Sequence, residues 1–535
     1  LRRPPRILAE ARVQPSTPQN PLKSPQMTAP ATADQPLNRV VIFSVFVVAS
    51  CGLTYELIAG ALASYLLGDS VLQFSSIIGA YLCAMGIGSH VSRYVKDRVA
   101  ERFVDIEIAV GLIGGVAAAL LFVAFAWAQA FRPLLYALVA ILGILVGMEI
   151  PLVMRLLNER KAEFSELVAN VLTFDYLGAL AVSLLFPLLL APKLGLMRTG
   201  FLFGMLNVGV ALLTIQVFRN EPGFQARGRW IRGIAVLVFL MAGFQTSERL
   251  TGWVEKGIFG DEVIHAKSTP YQRIVVTRWK DDLRLWLNGN LQFSSRDEHR
   301  YHEALVHPGL ASLPWARRVL VLGGGDGMAV REVLKYPDVE AVTLVDLDQG
   351  MTDLFTHSPE LVKLNQGSLK QPKVKVVNAD AGKWLEQSDE LFDFVIVDFP
   401  DPSNYSLGKL YSVSFYRLLK KHLAASGLAV IQATSPYNAP HAYWSVDASL
   451  REAGWHTWPY HALVPSFGEW GYLLAGQGYR MPDKIPVATR FLTPEVLKSL
   501  FLFPPDMART EVEPNRLDNQ PLVRYFEEDW AKVIR

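Results

Sequence analysis

Acidic side chains recur at the ends of short apolar runs in the carboxyl-terminal half of this 535-residue chain. Asp346 follows the run 342–345, Asp380 comes just after 374–377, and Asp398 ends 394–397, with Asp401 close behind. A fourth run, 319–322, passes into Gly323-Gly324-Gly325-Asp326-Gly327 and then a helical stretch, 328–336. Glycines such as Gly323 and Gly325 allow a tight turn and let backbone approach a ligand that a Cβ would block. Asp346 lies about 20 residues beyond that turn, where a carboxylate accepts both hydroxyls of a ribose. Taken singly, each aspartate also reads as a helix cap. Four successive strands that each deliver a carboxylate to one sheet edge read as a site, because ligands of open α/β sheets bind at that edge. Several acids in one crevice call for a cation, since like charges a few ångströms apart raise one another's pKa. A nucleoside with a positively charged tail, a polyamine or a metal meets that need. A metal fits least well, because the set lacks histidines at ligand spacing.

The elements that hold these residues alternate strand with helix, the pattern of a parallel, doubly wound, Rossmann-like sheet covered on both faces. This Rossmann-like unit is assigned to 311–480. Ahead of it, runs 274–279 and 283–287 around the turn Lys280-Asp281-Asp282 predict a hairpin, with a further strand ending at Gln292. These make 251–310 a small antiparallel β-domain. A carboxyl-terminal helical extension, 481–535, completes the soluble half, and no chemistry is assigned to it.

The amino-terminal half has another solvent. Of the whole chain 51% is hydrophobic and 19% charged, unusual for one soluble domain. Within 39–250, apolar stretches of about 20 residues recur, the length that crosses roughly 30 Å of hydrocarbon. Seven are counted, near 40–66, 71–92, 106–130, 134–157, 169–191, 196–218 and 231–247, the last being the shortest. Residues 1–38, rich in Pro, Ser, Thr and Gln, read as a disordered tail. The tail opens on Leu, as a truncated start would, and lacks the pattern of a cleaved signal peptide. Arginines cluster after the second, fourth and sixth stretches, which places the amino terminus inside. Seven crossings then put the carboxyl-terminal half on the opposite face, and six put it on the same one. Glu56, Glu149 and Asp175 fall within apolar stretches, where a charge costs roughly 2.5–3.5 kcal/mol. They predict either helix–helix hydrogen bonding or a cation path. A net charge of +2 gives no footprint for nucleic acid. Cys51 and Cys83 lie in apolar runs and are expected as buried packing residues.

The run Leu287-Asn288-Gly289-Asn290-Leu291-Gln292, the run Arg296-Asp297-Glu298-His299-Arg300-Tyr301-His302-Glu303, the glycine loop, and Asp398-Phe399-Pro400-Asp401-Pro402 follow one another in the order seen in the polyamine aminopropyltransferases. Over about 255–480 the chain closely resembles that family, the spermidine synthases. The apolar half is similar to the seven-span segment fused to some bacterial members, in Tyr55-Glu56-Leu57, Met85-Gly86-Ile87-Gly88-Ser89, Glu149-Ile150-Pro151-Leu152 and Asp175-Tyr176-Leu177-Gly178.

The resemblance implies transfer of an aminopropyl group from decarboxylated S-adenosylmethionine, a co-substrate, to putrescine or a related amine, with no other cofactor. It also implies a multi-pass protein of the bacterial inner membrane and a homodimer built through the soluble domains. Asp398 is then the catalytic base or the carboxylate that orients the amine, and Asp401 holds the amine's other end. Asp346 binds the donor ribose, Asp380 with Ala381 the adenine edge, and Gln272 the donor. Tyr301 and His302 line the amine channel, although His302 also reads as a structural histidine. Asp326 separates two enzyme classes: it would repel the carboxylate that an ordinary methyltransferase must hold, whereas a decarboxylated donor presents only an ammonium. The other readings are a methyltransferase acting on an amine or a membrane-borne substrate, and a polyamine transporter or sensor. Two departures stand out. Ser403-Asn404-Tyr405 follows where the family continues Gly-Pro, and Val464 occupies the place of an acceptor-contacting tyrosine.

Overall fold

The computed structural model describes residues 35–67, 70–127, 131–158 and 164–533. Seven helices come first: α1 (Gln35–Leu67), α2 (Ser70–Val91), α3 (Val99–Trp127), α4 (Phe131–Asn158), α5 (Phe164–Leu185), α6 (Leu196–Phe218) and α7 (Ala226–Phe259). Each contains a stretch long and apolar enough to cross a membrane. Most of the expected tail lies outside the described residues, but α1 already begins at Gln35. Pro36 does not prevent this, because proline is tolerated in a first turn. The segment read as shortest, 231–247, sits inside α7, a helix of 34 residues. Charges such as Arg229, Arg232, Glu248 and Glu255 end an apolar run without ending a helix. The physical stop is Gly260, with φ 69°, whose N–H caps onto Lys256 O.

Small residues set the helix spacing. A Cβ on Gly147 of α4 would stand 2.2 Å from Met85 O of α2, and one on Gly204 of α6 would stand 2.5 Å from Gly111 O of α3. Cys51 is buried in this packing, whereas Cys83 is exposed, contrary to expectation. It lies on the flank of α2 that faces away from the bundle, and α2 buries only a narrow stripe against its neighbours.

Beyond α7, strands β1 (Glu262–Ser268), β2 (Arg273–Trp279), β3 (Asp282–Leu287) and β4 (Asn290–Ser294) form an antiparallel sheet in sequence order. The predicted hairpin is β2–β3. An ion pair between Arg273 and Glu255 and a ring contact of 5.1 Å between Phe259 and Trp286 tie this sheet to the end of α7.

The remaining elements are α8 (Glu298–Leu310), β5 (Arg318–Gly323), α9 (Met328–Val333), β6 (Ala341–Asp346), α10 (Gln349–His357), α11 (Pro359–Asn365), β7 (Val374–Asn378), α12 (Ala381–Gln387), β8 (Phe392–Asp398), α13 (Tyr405–Gly408), α14 (Val413–Lys420), β9 (Leu423–Gln432), α15 (Pro440–Glu452), β10 (His456–Val464), β11 (Gly468–Gly476), α16 (Pro494–Leu500) and α17 (Pro521–Val533). The large sheet has the order β10-β11-β9-β8-β5-β6-β7, parallel from β9 to β7 and antiparallel where β10 and β11 join. The chain winds outward from β5 and then returns to β8, so the switch in winding lies between those two strands. Alternation along the strands sends Val321, Leu344 and Ile396 to one core and Leu322, Val345 and Val397 to another on the opposite face.

The antiparallel pair β10–β11 and the limited helicity of 481–535 depart from the sequence reading. Among the described residues of the latter stretch, α16 and α17 are the α-helices. Pro482, Pro486, Pro504, Pro505 and Pro514 break up the rest.

Candidate active site

The β5–β8 register places Gly323 beside Asp398, so the glycine loop and the fourth carboxylate meet at the switch point. Gly323 has φ 80°, and a Cβ there would lie 2.2 Å from Asp398 O, which excludes any other residue. Gly325 N–H donates to Asp346 Oδ2 at 3.0 Å, and Asp346 Oδ1 accepts from Asp348 N–H at 2.8 Å. The ends of β5 and β6 are thereby joined. Burial pushes Asp346 up to about 6, against those two backbone donors.

Asp326 is buried, with Oδ1 accepting from Met328 N–H at 2.9 Å. Burial raises its pKa, opposed by the nearby His302. Tyr301, on α8, donates its hydroxyl to Asp398 Oδ1 at 2.6 Å. Burial lifts Asp398 to about 6, His302 pulls it down, and Asp326 pushes it up again. Asp401 accepts from Thr434 Oγ1 at 3.2 Å and Gln432 Nε2 at 3.4 Å, and burial still carries it to about 7. Thr434 stands at φ 53°, a strained setting for a β-branched residue, and Gly471 N–H holds its carbonyl at 2.7 Å. Among the described residues, none of Asp326, Asp346, Asp398 and Asp401 forms an ion pair with a lysine or arginine.

Other expected site residues are placed differently. Gln272 donates to Asp348 Oδ2 at 2.9 Å and is linked to Asp346 through Asp348. Asp380 caps α12, accepting from Lys383 N–H at 3.0 Å, and Lys409 Nζ lies 3.4 Å from its other oxygen. Burial would raise its pKa, but these donors and Lys409 hold it below the usual value. Ala381, the first residue of α12, is buried beside it. Asn404 caps α13, so the Ser403-Asn404-Tyr405 departure forms a short helix. Val464 is buried in the core and presents no polar group to the site.

His302 is bonded as a structural histidine and also lies close enough to Asp326 and Asp398 to interact with their charges. Its Nδ1 is 2.8 Å from Glu298 O and 2.8 Å from Glu298 Oε2. Burial would lower its pKa, but Glu298 holds it above the ordinary imidazole value. Glu298 is also clamped by Arg331 at 3.0 and 2.8 Å. Against burial, the hydrogen bonds from His302 and Arg331 bring Glu298 down to about 2. The chain Arg331–Glu298–His302 thus brings positive charge to Asp326 and Asp398.

Sequence reading missed Asp348, Glu298, Arg331, Gln432 and Thr434. The spacing of Glu298 and His302, one helical turn apart on α8, was a usable signal. Asp348 was visible as the second acid in Asp346-Leu347-Asp348. Gln432, the last residue of β9, and Thr434 just beyond it carry no charge, so nothing marked them.

The chain matches the Spermine/spermidine synthase domain over residues 298–480. It is 65% identical over 526 residues to Polyamine aminopropyltransferase 1 of Ralstonia nicotianae, covering 96% of this chain and 100% of that protein. The chain belongs to the polyamine aminopropyltransferases. The family's member from Leptospira interrogans is 50% identical over 501 residues, covering 93% of this chain and all of its own. A solved spermidine synthase, in complex with the transition-state analogue AdoDATO, aligns over 45% of this chain and 85% of its own, with 24% identity and a TM-score of 0.42. The matches in the Ralstonia and Leptospira aminopropyltransferases extend through the helical half, so the bundle and the catalytic half belong to one family architecture.

Glu298 is depressed from 4.5 to about 2, so its charge stabilises the fold above pH 4.5 and this contribution is lost as pH falls through about 2. Glu298→Gln should cost on the order of 3 kcal/mol at neutral pH. Denaturant midpoints followed by tryptophan fluorescence should show that gap narrowing as pH falls below 4.5.

Proposed function

We propose that this transferase moves the aminopropyl group of decarboxylated S-adenosylmethionine to putrescine or a related alkylamine, giving spermidine and methylthioadenosine. The supporting observation is a set of buried carboxylates without lysine or arginine partners at the sheet's switch point. A buried anion without a counter-ion is costly, and two cationic substrates supply the missing charge.

The amine nitrogen attacks the methylene carbon next to the sulfonium. The C–N bond forms as the C–S bond breaks, sulfur keeps the electron pair, and nitrogen loses a proton. Asp398, directed by Tyr301, accepts that proton. Burial moves its basicity from 3.8 to about 6, nearer to the amine's value of about 10. Asp401 takes the far ammonium of the acceptor. Asp346, joined to the glycine loop, takes the ribose hydroxyls, and Gln272 with Asp348 lies on the donor side. Asp380 with Ala381 faces the adenine edge. The remainder is positioning, which can supply roughly 7–11 kcal/mol of a two-substrate barrier. Asp326 favours a donor without a carboxylate and so disfavours the methyltransferase reading.

Residence in the bacterial inner membrane, with several crossings, is part of this reading. It is supported by seven apolar helices and by arginine-rich alternate loops. A homodimer through the soluble domains completes the proposal.

With decarboxylated donor and a panel of amines, the purified enzyme should release methylthioadenosine with putrescine among the accepted partners. Asp398→Asn should lose at least about 100-fold in kcat, the scale of general-base catalysis, while keeping donor affinity. A fully active variant would remove the assigned role.

Asp398 must be ionised to act, so kcat/KM should fall as pH drops through about 6. The positive His302 lowers the Asp398 pKa. His302→Gln should therefore move that limb to higher pH, and an unmoved limb would show that the two groups are not coupled.

A further inference from the structure

Far from the catalytic half, the bundle buries two acids against each other. Glu107 of α3 is fully buried and Glu149 of α4 is 2% exposed. Their carboxyl groups lie within hydrogen-bonding reach. Asn207 of α6 donates Nδ2 to Glu107 Oε2 at 2.5 Å. Glu107 Oε1 and Glu149 Oε1 have no N–H or O–H partner, and neither do the equally buried Asn207 Oδ1 and Tyr55 hydroxyl. The ionisable and polar groups facing the pair are Cys51 and Tyr55 of α1, Tyr81 of α2, Asp175 of α5 and Asn207 of α6. None of them is a cation.

Two bare carboxylates cannot remain in contact there, because nothing screens their repulsion. A proton shared between them turns the contact into a hydrogen bond and leaves one net charge. Glu107 lies eight residues from the start of α3, and Glu149 nine residues from the end of α4. At 1.5 Å per residue both sit about 12–14 Å from the same end of the bundle, near mid-depth for a 30 Å hydrocarbon layer. Toward the other end lies a cavity of about 10 Å³ lined by Tyr55, Glu56 and Tyr81 with apolar residues of α3 and α4. That volume suits one water. Tyr81 is fixed by donating to Gly52 O at 3.0 Å, whereas the Tyr55 hydroxyl has no such tie and stands between the cavity and the acid pair.

We propose that Glu107 and Glu149 form a site for one exchangeable proton at mid-depth in the helical bundle, reached from Glu56 through the cavity water and the Tyr55 hydroxyl. Tyr55 passes its own proton to one side as it receives one from the other, so no charge accumulates on the phenol. Loss of the shared proton leaves two charges in contact and strains the α3–α4 packing, which couples site occupancy to helix arrangement. This inference takes its depth from the membrane reading and its contacts from the bundle alone.

The test is infrared spectroscopy of the full-length protein in lipid nanodiscs at about pH 8.5, where exposed carboxyls are ionised. The wild type should keep a carboxylic-acid C=O band that shifts in D2O. Glu107→Gln and Glu149→Gln should each remove it, while methylthioadenosine release stays at the wild-type rate and so reports an intact fold. Glu56→Gln should retain the band but slow its deuterium shift several-fold. The wild type alone can refute the proposal, by showing no such band or one that never exchanges. A band unchanged in both glutamine variants overturns the pair, and an unchanged exchange rate in Glu56→Gln overturns the route. Binding of sodium to the wild type in place of the band would make this a metal-cation site and overturn the proton assignment.

Discussion

Everything in the catalytic half is organised around buried negative charge that the protein does not neutralise itself. Asp326, Asp346, Asp398 and Asp401 sit where β5 and β8 part, and burial raises the pKa of each. A fold that only needed to be stable would pair such groups or replace them. Positive charge reaches Asp398 from His302 and Asp326 from both His302 and Arg331, and His302 is bonded to Glu298, which Arg331 clamps in turn. The protein thus moderates the anions with a neighbouring histidine and arginine but gives none of them a direct lysine or arginine ion pair among the described residues.

The rest of the fold serves that edge. Glycines at the β5 turn bring backbone against Asp398 and Asp346, the strained Thr434 turns its hydroxyl to Asp401, and Glu303 accepts from the N–H groups of Arg490, Phe491 and Leu492, which fixes the segment after β11 against α8. Through α7 the helical bundle connects directly to the small sheet that carries Gln272. Burial of like charges recurs in the bundle, where Glu107 and Glu149 meet.

Much of this was legible because period and punctuation agreed. Apolar runs followed by acids gave β5 to β8 and the carboxylate edge, and stretches of membrane length gave the helices. What failed did so for physical reasons. Charged residues concealed the extent of α7, since helix continuity depends on backbone, not hydropathy. The pair β10–β11 lacked strand-end acids to draw attention. Glu149 was singled out but Glu107 was not, because α3 begins at Val99 and a span started at 106 leaves Glu107 at an apparent edge. Asp380, read as a donor-side residue from its place after β7, also caps α12 beside Lys409, a second role that spacing alone did not reveal.

The central claim is that the carboxylate edge selects a donor by charge. Calorimetric titration of the purified enzyme with S-adenosylmethionine and with its decarboxylated form tests this directly, since the two differ only in one anionic group. The account predicts at least tenfold tighter binding of the decarboxylated form, a difference of about 1.4 kcal/mol, shrinking in Asp326→Asn. Equal affinities for the two in the wild type would contradict it.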